Sequence, residues 1–114
     1  MRQSCPTRST DRSGTCEPEP MVTELADFAI DTDRGDEFFT AYRGVRHLLI
    51  DAGARDVRMT RSVESPGRFV LLVQWDSVEQ HQQFRAGPGL APWRAAIGPF
   101  FTADPQVEHF TDVG

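Results

Sequence analysis

From Met21 onward, apolar residues recur at two distinct periods, and each change of period marks an element. Val22 to Ile30 has strand composition, with Val22, Ala26, Phe28 and Ile30 on one parity. Phe38, Tyr42, Val45, Leu49 and Ala52 then recur at helical spacing and define one face of an amphipathic helix. Asp33 is expected to cap that helix, Asp36 and Glu37 to place negative charge in its first turn, and Gly53 to end it. Arg55 to Glu64 alternates again, with Val57, Met59 and Val63 on one parity, and Ser65-Pro66-Gly67 reads as a tight turn in which Gly67 permits a positive φ. Arg68 to Trp75 (RFVLLVQW) is apolar on both parities and is expected to be a central strand with both faces covered. Ser77 and Gln80 form a capping-box pair that opens a second helix, whose inner face carries Val78, His81 and Phe84. Gly87-Pro88-Gly89 breaks it. Leu90, Trp93, Ile97 and Phe100 predict a short third helix, and Val107 to Val113 a last strand.

The order β-α-β-β-α-α-β is the split βαβ plan of ferredoxin-like folds: an α+β domain with a four-stranded antiparallel sheet. Its helices can cover only one face of that sheet. The doubly apolar third strand therefore calls for a second copy of the chain against the other face, and the expectation is a homodimer.

Residues 1–20 contain no Val, Ile, Leu, Phe, Tyr or Trp, so this segment cannot bury enough apolar surface to fold and is expected to be a disordered extension of a domain spanning 21–114. The formal net charge of -5 and the absence of a basic face argue against nucleic acid as partner. No run approaches the ~20 apolar residues of a membrane span, and no secretory leader is evident, which reads as a soluble, cytoplasmic protein. All 12 basic residues are Arg, and Asn is absent. Schiff-base catalysis and any mechanism that needs an Asn side chain are thereby excluded. Cys5 and Cys16 both fall in the extension without metal-ligand or redox spacing, and the three separated histidines offer no ligand pattern, so no metal is expected.

His is the side chain most easily poised near pH 7. His81 falls on the apolar face of the second helix, where it is either a satisfied core histidine or a base. His109 falls on the last strand, on the parity of Val107 and Thr111, where a side chain can point into a cavity under the helices; it is the preferred base. His47 falls off the apolar helix face and is expected to be solvated. Trp75 and Trp93 offer flat surfaces for a ring substrate or serve as plain core. Tyr42, the only phenol, Phe84 and Arg94 complete the candidate substrate contacts, Arg94 as a holder of negative charge.

The segment VLLVQWDSVEQHQQFRAGPGLAPWRAAIGPFF, followed by VEHFTDV, resembles the antibiotic biosynthesis monooxygenase family. The marks are a strand ending in Trp75, Asp76-Ser77 opening a helix with His81 and Phe84, Trp93 in a short helix, and a final strand with His109 and Phe110. The resemblance implies chains that pair into a dimeric α+β barrel, a substrate pocket between sheet and helices, and oxidation of phenols or quinols to quinones by dioxygen without a cofactor. This chain departs from the pattern at Leu71, where quinone-forming members carry Asn. It also has Gln83 and Arg94 where the haem-degrading branch carries Trp and the ligand His, which disfavours haem degradation.

Two functions from different classes follow. One is a small cofactor-independent monooxygenase acting on an aromatic polyketide-like or quinol substrate, with His109 as base, Trp75 shaping the pocket and His81 as the second candidate. The other is a non-enzymatic binding or assembly domain of the same fold.

Overall fold

The computed structural model describes residues 21–113; the expectation for residues 1–20 lies outside the described residues. Strand β1 (Val22–Ala29) leads through a single 3-10 turn (Thr32–Arg34) into helix α1 (Gly35–Asp51). A hairpin of β2 (Asp56–Arg61) and β3 (Arg68–Trp75) follows, then α2 (Val78–Ala86), α3 (Leu90–Ile97), a second 3-10 turn (Gly98–Phe100) and β4 (Gln106–Phe110). The strands lie in the order β2-β3-β1-β4 and every neighbouring pair is antiparallel. This is the ferredoxin-like arrangement that the hydrophobic pattern predicts.

Burial follows parity. Phe69, Leu71, Val73 and Trp75 of β3 are buried, while Val70 and Leu72 are partly exposed on the opposite face. On β1 the buried parity holds Glu24, Ala26 and Phe28. Phe38, Tyr42 and Leu49 from α1 and Trp93 and Ile97 from α3 close over this face. Aromatic rings dominate one end of the core: Phe38 packs edge-on against Phe28, Phe69 and Phe100.

Several local expectations need correction. Asp33 does not cap α1; it sits inside the 3-10 turn, and Arg34 occupies the N-cap position without a side-chain bond to the helix backbone. Strand β2 ends at Arg61, and Val63 is 90% exposed, because Ser62 turns its hydroxyl to the Ser65 N–H and begins the loop early. Strand β4 ends at Phe110 rather than Val113, where its pairing with β1 stops. Gly67 does not adopt positive φ; among the described residues only Gly53 does, at 108°. What Gly67 supplies is room, since a side chain there would run into the carbonyl of Ile30, which shares a backbone bond with it. The capping box of α2 is present in displaced form. Ser77 Oγ accepts from the Gln80 N–H at 3.2 Å, and Gln80 Oε1 accepts from the N–H of Asp76 rather than of Ser77.

Candidate active site

The register of the sheet sets the site. Glu24 on β1 lies directly opposite Val73 on one side and His109 on the other, so its side chain and that of His109 leave the same face of adjacent strands. Trp75, two residues past Val73, lies diagonally from Glu24 and donates its indole N–H to Glu24 Oε1 at 2.9 Å. Helix α2 then lays His81 over the indole: the two rings stack with centroids 5.2 Å apart and planes 16° apart. That stacking turns one imidazole nitrogen to each neighbour. His81 Nε2 stands 3.3 Å from Glu24 Oε1, and Nδ1 stands 2.8 Å from His109 Nε2. Four residues from β1, β3, α2 and β4 thus form a continuous polar chain at one end of an apolar core.

Burial decides its electrostatics. Desolvation pushes the Glu24 carboxyl above its ordinary value, against the opposing pull of the Trp75 hydrogen bond and the Arg85 charge. Desolvation, helped by the charges of His109 and Arg85, lowers the His81 imidazole to about 4. Both groups are driven towards their neutral forms, and the short contact between them lets one proton be shared. The chain is not a metal cage. His81 offers a different ring nitrogen to each neighbour, so the donors do not converge on one point, and no metal-holding group of three His, Cys, Asp or Glu occurs among the described residues.

Glu24 and His81 open onto a cavity of about 250 Å³ between the sheet and the helices. Ala26, Phe28 and Leu71 form its floor, Leu49, Phe84, Trp93 and Ile97 its roof, and the exposed residues Arg85, Arg94, Pro105 and Val107 its rim. A larger groove of about 470 Å³ beside the 87–89 loop is walled by Leu48, Phe84 and Pro88 but holds no base other than Asp51. Of the two, only the smaller cavity has a buried carboxyl and an imidazole in contact in its wall.

The candidates read from the sequence fall into two sets. His81, Phe84, Trp93 and Arg94 line the cavity. Trp75, His109 and Tyr42 do not. Trp75 is fully buried behind His81, and half-buried His109 reaches the cavity only through His81. Tyr42 packs edge-on against Trp93, outside the cavity lining. His47 is exposed, as its helix position predicts. Glu24 is absent from the candidates that sequence reasoning supplies. Its signal is nonetheless there: it is the one charged residue on the otherwise apolar parity of β1.

The family model of the antibiotic biosynthesis monooxygenases matches residues 21–96. The chain belongs to this family. Its matched segment carries Glu24, Trp75 and His81 and ends before β4. The Bacillus subtilis (strain 168) protein YczJ, itself uncharacterized, is 32% identical over 95 residues, which is 82% of this chain and 100% of that one. Among solved structures, a Bordetella bronchiseptica protein that bears the family's name superposes with a TM-score of 0.79 at 32% identity, covering 82% of this chain and 98% of its own. SnoaB, a cofactor-independent oxygenase from Streptomyces nogalater, shares the fold with a TM-score of 0.73 at 18% identity, over 83% of this chain and 95% of SnoaB. A monooxygenase-type function accords with this membership.

Proposed function

We propose that the domain is a cofactor-independent monooxygenase that oxidises a small phenol- or quinol-type substrate with dioxygen, and that the Glu24–His81 pair takes the substrate's proton. The observation that carries this reading is a buried carboxyl–imidazole pair in the wall of a cavity otherwise lined by apolar and aromatic groups. An electron-rich phenolate or carbanion reduces dioxygen directly once it is formed. Collapse onto carbon gives a peroxide, and loss of water gives the quinone. The substrate loses two hydrogens and gains one oxygen; the second oxygen leaves as water. The protein must supply a base, a dry surface, and positive charge for the anion. Glu24 and His81 supply the first, Phe28, Phe84 and Trp93 the second, and Arg85 and Arg94 at the rim the third.

Size narrows the substrate. An engineered cavity of about 150 Å³ holds benzene, so the present volume suits one or two fused rings better than a large polyketide. The base is the pair at the cavity wall rather than His109, which stands behind it. In the same reading the chain is a cytoplasmic homodimer whose partner subunit covers Leu25, Val70 and Leu72.

Oxygen uptake with a panel of naphthoquinols, hydroxynaphthoquinols and anthrones tests the proposal, with Glu24→Gln and His81→Phe compared to the parent. The parent should consume oxygen with at least one substrate, and each variant should be ~10²-fold or more slower. A second reading, a binding domain without catalysis, is favoured by Leu71 at the position of the quinone-forming members' Asn. Substrate-dependent quenching of tryptophan fluorescence with no oxygen uptake across the panel would select it.

A further inference from the structure

His109 is unexplained by a cavity it does not line. It sits on an edge strand, partly exposed, with one ring nitrogen on His81 and the strand's backbone held by β1. Its neighbours Glu108 and Phe110 leave the opposite face, so His109 is the one ionisable side chain of β4 on the helix side of the sheet.

We propose that His109, His81 and Glu24 form a proton relay that carries the substrate's proton from the cavity to the β4 edge and returns it. The inference rests on the cavity being the site of proton removal. Two contacts, 2.8 Å and 3.3 Å, span the whole path. A substrate proton received by the Glu24 carboxylate leaves the carboxyl neutral, with His81 protonated at Nδ1 and bare at Nε2. Discharge then needs two coupled transfers. The carboxyl proton passes to His81 Nε2 as the Nδ1 proton passes to His109 Nε2. His81 ends neutral in its other tautomer, Glu24 is again a carboxylate, and His109 holds the extra proton at the β4 edge; when the peroxide gives up hydroxide the two transfers run in reverse, the proton leaves in water, and the starting tautomers are restored. Protons balance at every step, and no side chain has to swing.

The arrangement answers a physical need. A proton left on the carboxyl beside the substrate anion would return to carbon before dioxygen adds, whereas one held at the strand edge stays within reach of the hydroxide that later leaves. The fixed parts serve the path. Trp75 can only donate, so it holds Oε1 in place without competing for the proton, and its ring keeps the imidazole plane aligned with both neighbours. Charge facing the relay comes from Arg85 on α2, which favours the carboxylate and discourages a lasting His81 cation, while Arg94 on α3 stands at the cavity rim.

Two measurements on the full chain test the relay. In the first, ¹⁵N-histidine-labelled protein is titrated by long-range ¹H–¹⁵N correlation without any substrate. The His81 and His109 curves should each show the other's inflection, and Glu24→Gln should displace both; independent curves, unmoved by Glu24→Gln, overturn the relay. In the second, His109→Ala should slow oxidation ~10²-fold, and free imidazole should restore the rate in proportion to its concentration. Parent-like turnover in His109→Ala, or a loss that imidazole leaves untouched, overturns it as well. Absence of oxidation throughout the substrate panel rejects the monooxygenase reading alone, because the titration tests the relay without turnover.

Discussion

Trp75 and Glu24 are diagonal neighbours on paired strands, and the indole N–H of the first donates to the carboxyl of the second inside the core at 2.9 Å. Each depends on the other: the indole has no second polar partner to choose, and the carboxyl would otherwise be buried with less to hold it. Glu24→Gln retains an acceptor and should change stability little. Glu24→Ala strands the indole N–H and should cost ~1–3 kcal/mol, read as a fall in Tm of roughly 4–8 °C per kcal/mol for a domain of this size. Equal thermal midpoints for the two variants would mean that this bond contributes nothing to the fold.

Stability should respond to acid through His81. Its imidazole, held to about 4 in the folded chain against an ordinary 6.5, takes a proton in the unfolded chain first as the pH falls. Between those values the unfolded state binds more protons, so this residue's contribution to stability falls with the pH. Glu24 acts in the opposite sense, because its raised carboxyl is protonated first in the folded chain. His81→Phe keeps a ring over Trp75 and removes only the first effect. Thermal melts between pH 6.5 and 4 should show a smaller loss for the variant than for the parent; parallel losses would place the acid sensitivity elsewhere.

Two glycines of similar appearance should respond with opposite signs. Gly53 follows α1 with φ of 108°, and a Cβ there would collide with the Gln80 side chain that caps α2. Gly53→Ala should destabilise by more than ~1 kcal/mol. Gly44 lies inside α1, and the space within 4 Å of where a methyl group would stand is open. Gly44→Ala should stabilise by ~0.5–1 kcal/mol through helix propensity. Chemical denaturation of both variants checks the pair.

Leu25 and Leu72 face each other at the centre of the sheet's outer surface, beside Val70. If this surface is where two copies meet, sedimentation equilibrium at low micromolar concentration should give twice the chain mass. Leu72→Asp should reduce it to one, since an unpaired carboxylate would have to be buried. A parent that sediments as a monomer removes the partner from this face.

The fold was legible because periodicity is set by burial, and burial here is nearly pure: β3 and the inner faces of α1 and α3 carry few polar interruptions. Local ends were less legible. The 3-10 entry to α1 and the early stop of β2 depend on backbone and hydroxyl bonds that hydropathy does not encode. The site was legible in part. His81 and His109 stand out in the sequence as rivals, whereas their 2.8 Å contact makes them neighbours in one chain of bonds. A sequence does not state which strands pair, and only the β1–β4 register brings these two together. Glu24 escapes a search for apolar periodicity because it is the single break in the pattern on β1; buried polar exceptions of this kind are where fold and chemistry part company.

Strand β4 contributes no residue to the buried apolar core, whose members run from Ala26 to Ile97, yet it supplies the outermost nitrogen of the polar chain. The protein therefore has two different C-terminal boundaries. One, near Phe101, is set by packing; the other, at Phe110, by chemistry. A protease that clips the chain between them would spare every residue of the buried apolar cluster while removing the strand that carries His109. Translation meets the same order, since every residue of the packed interior leaves the ribosome before the strand that carries His109.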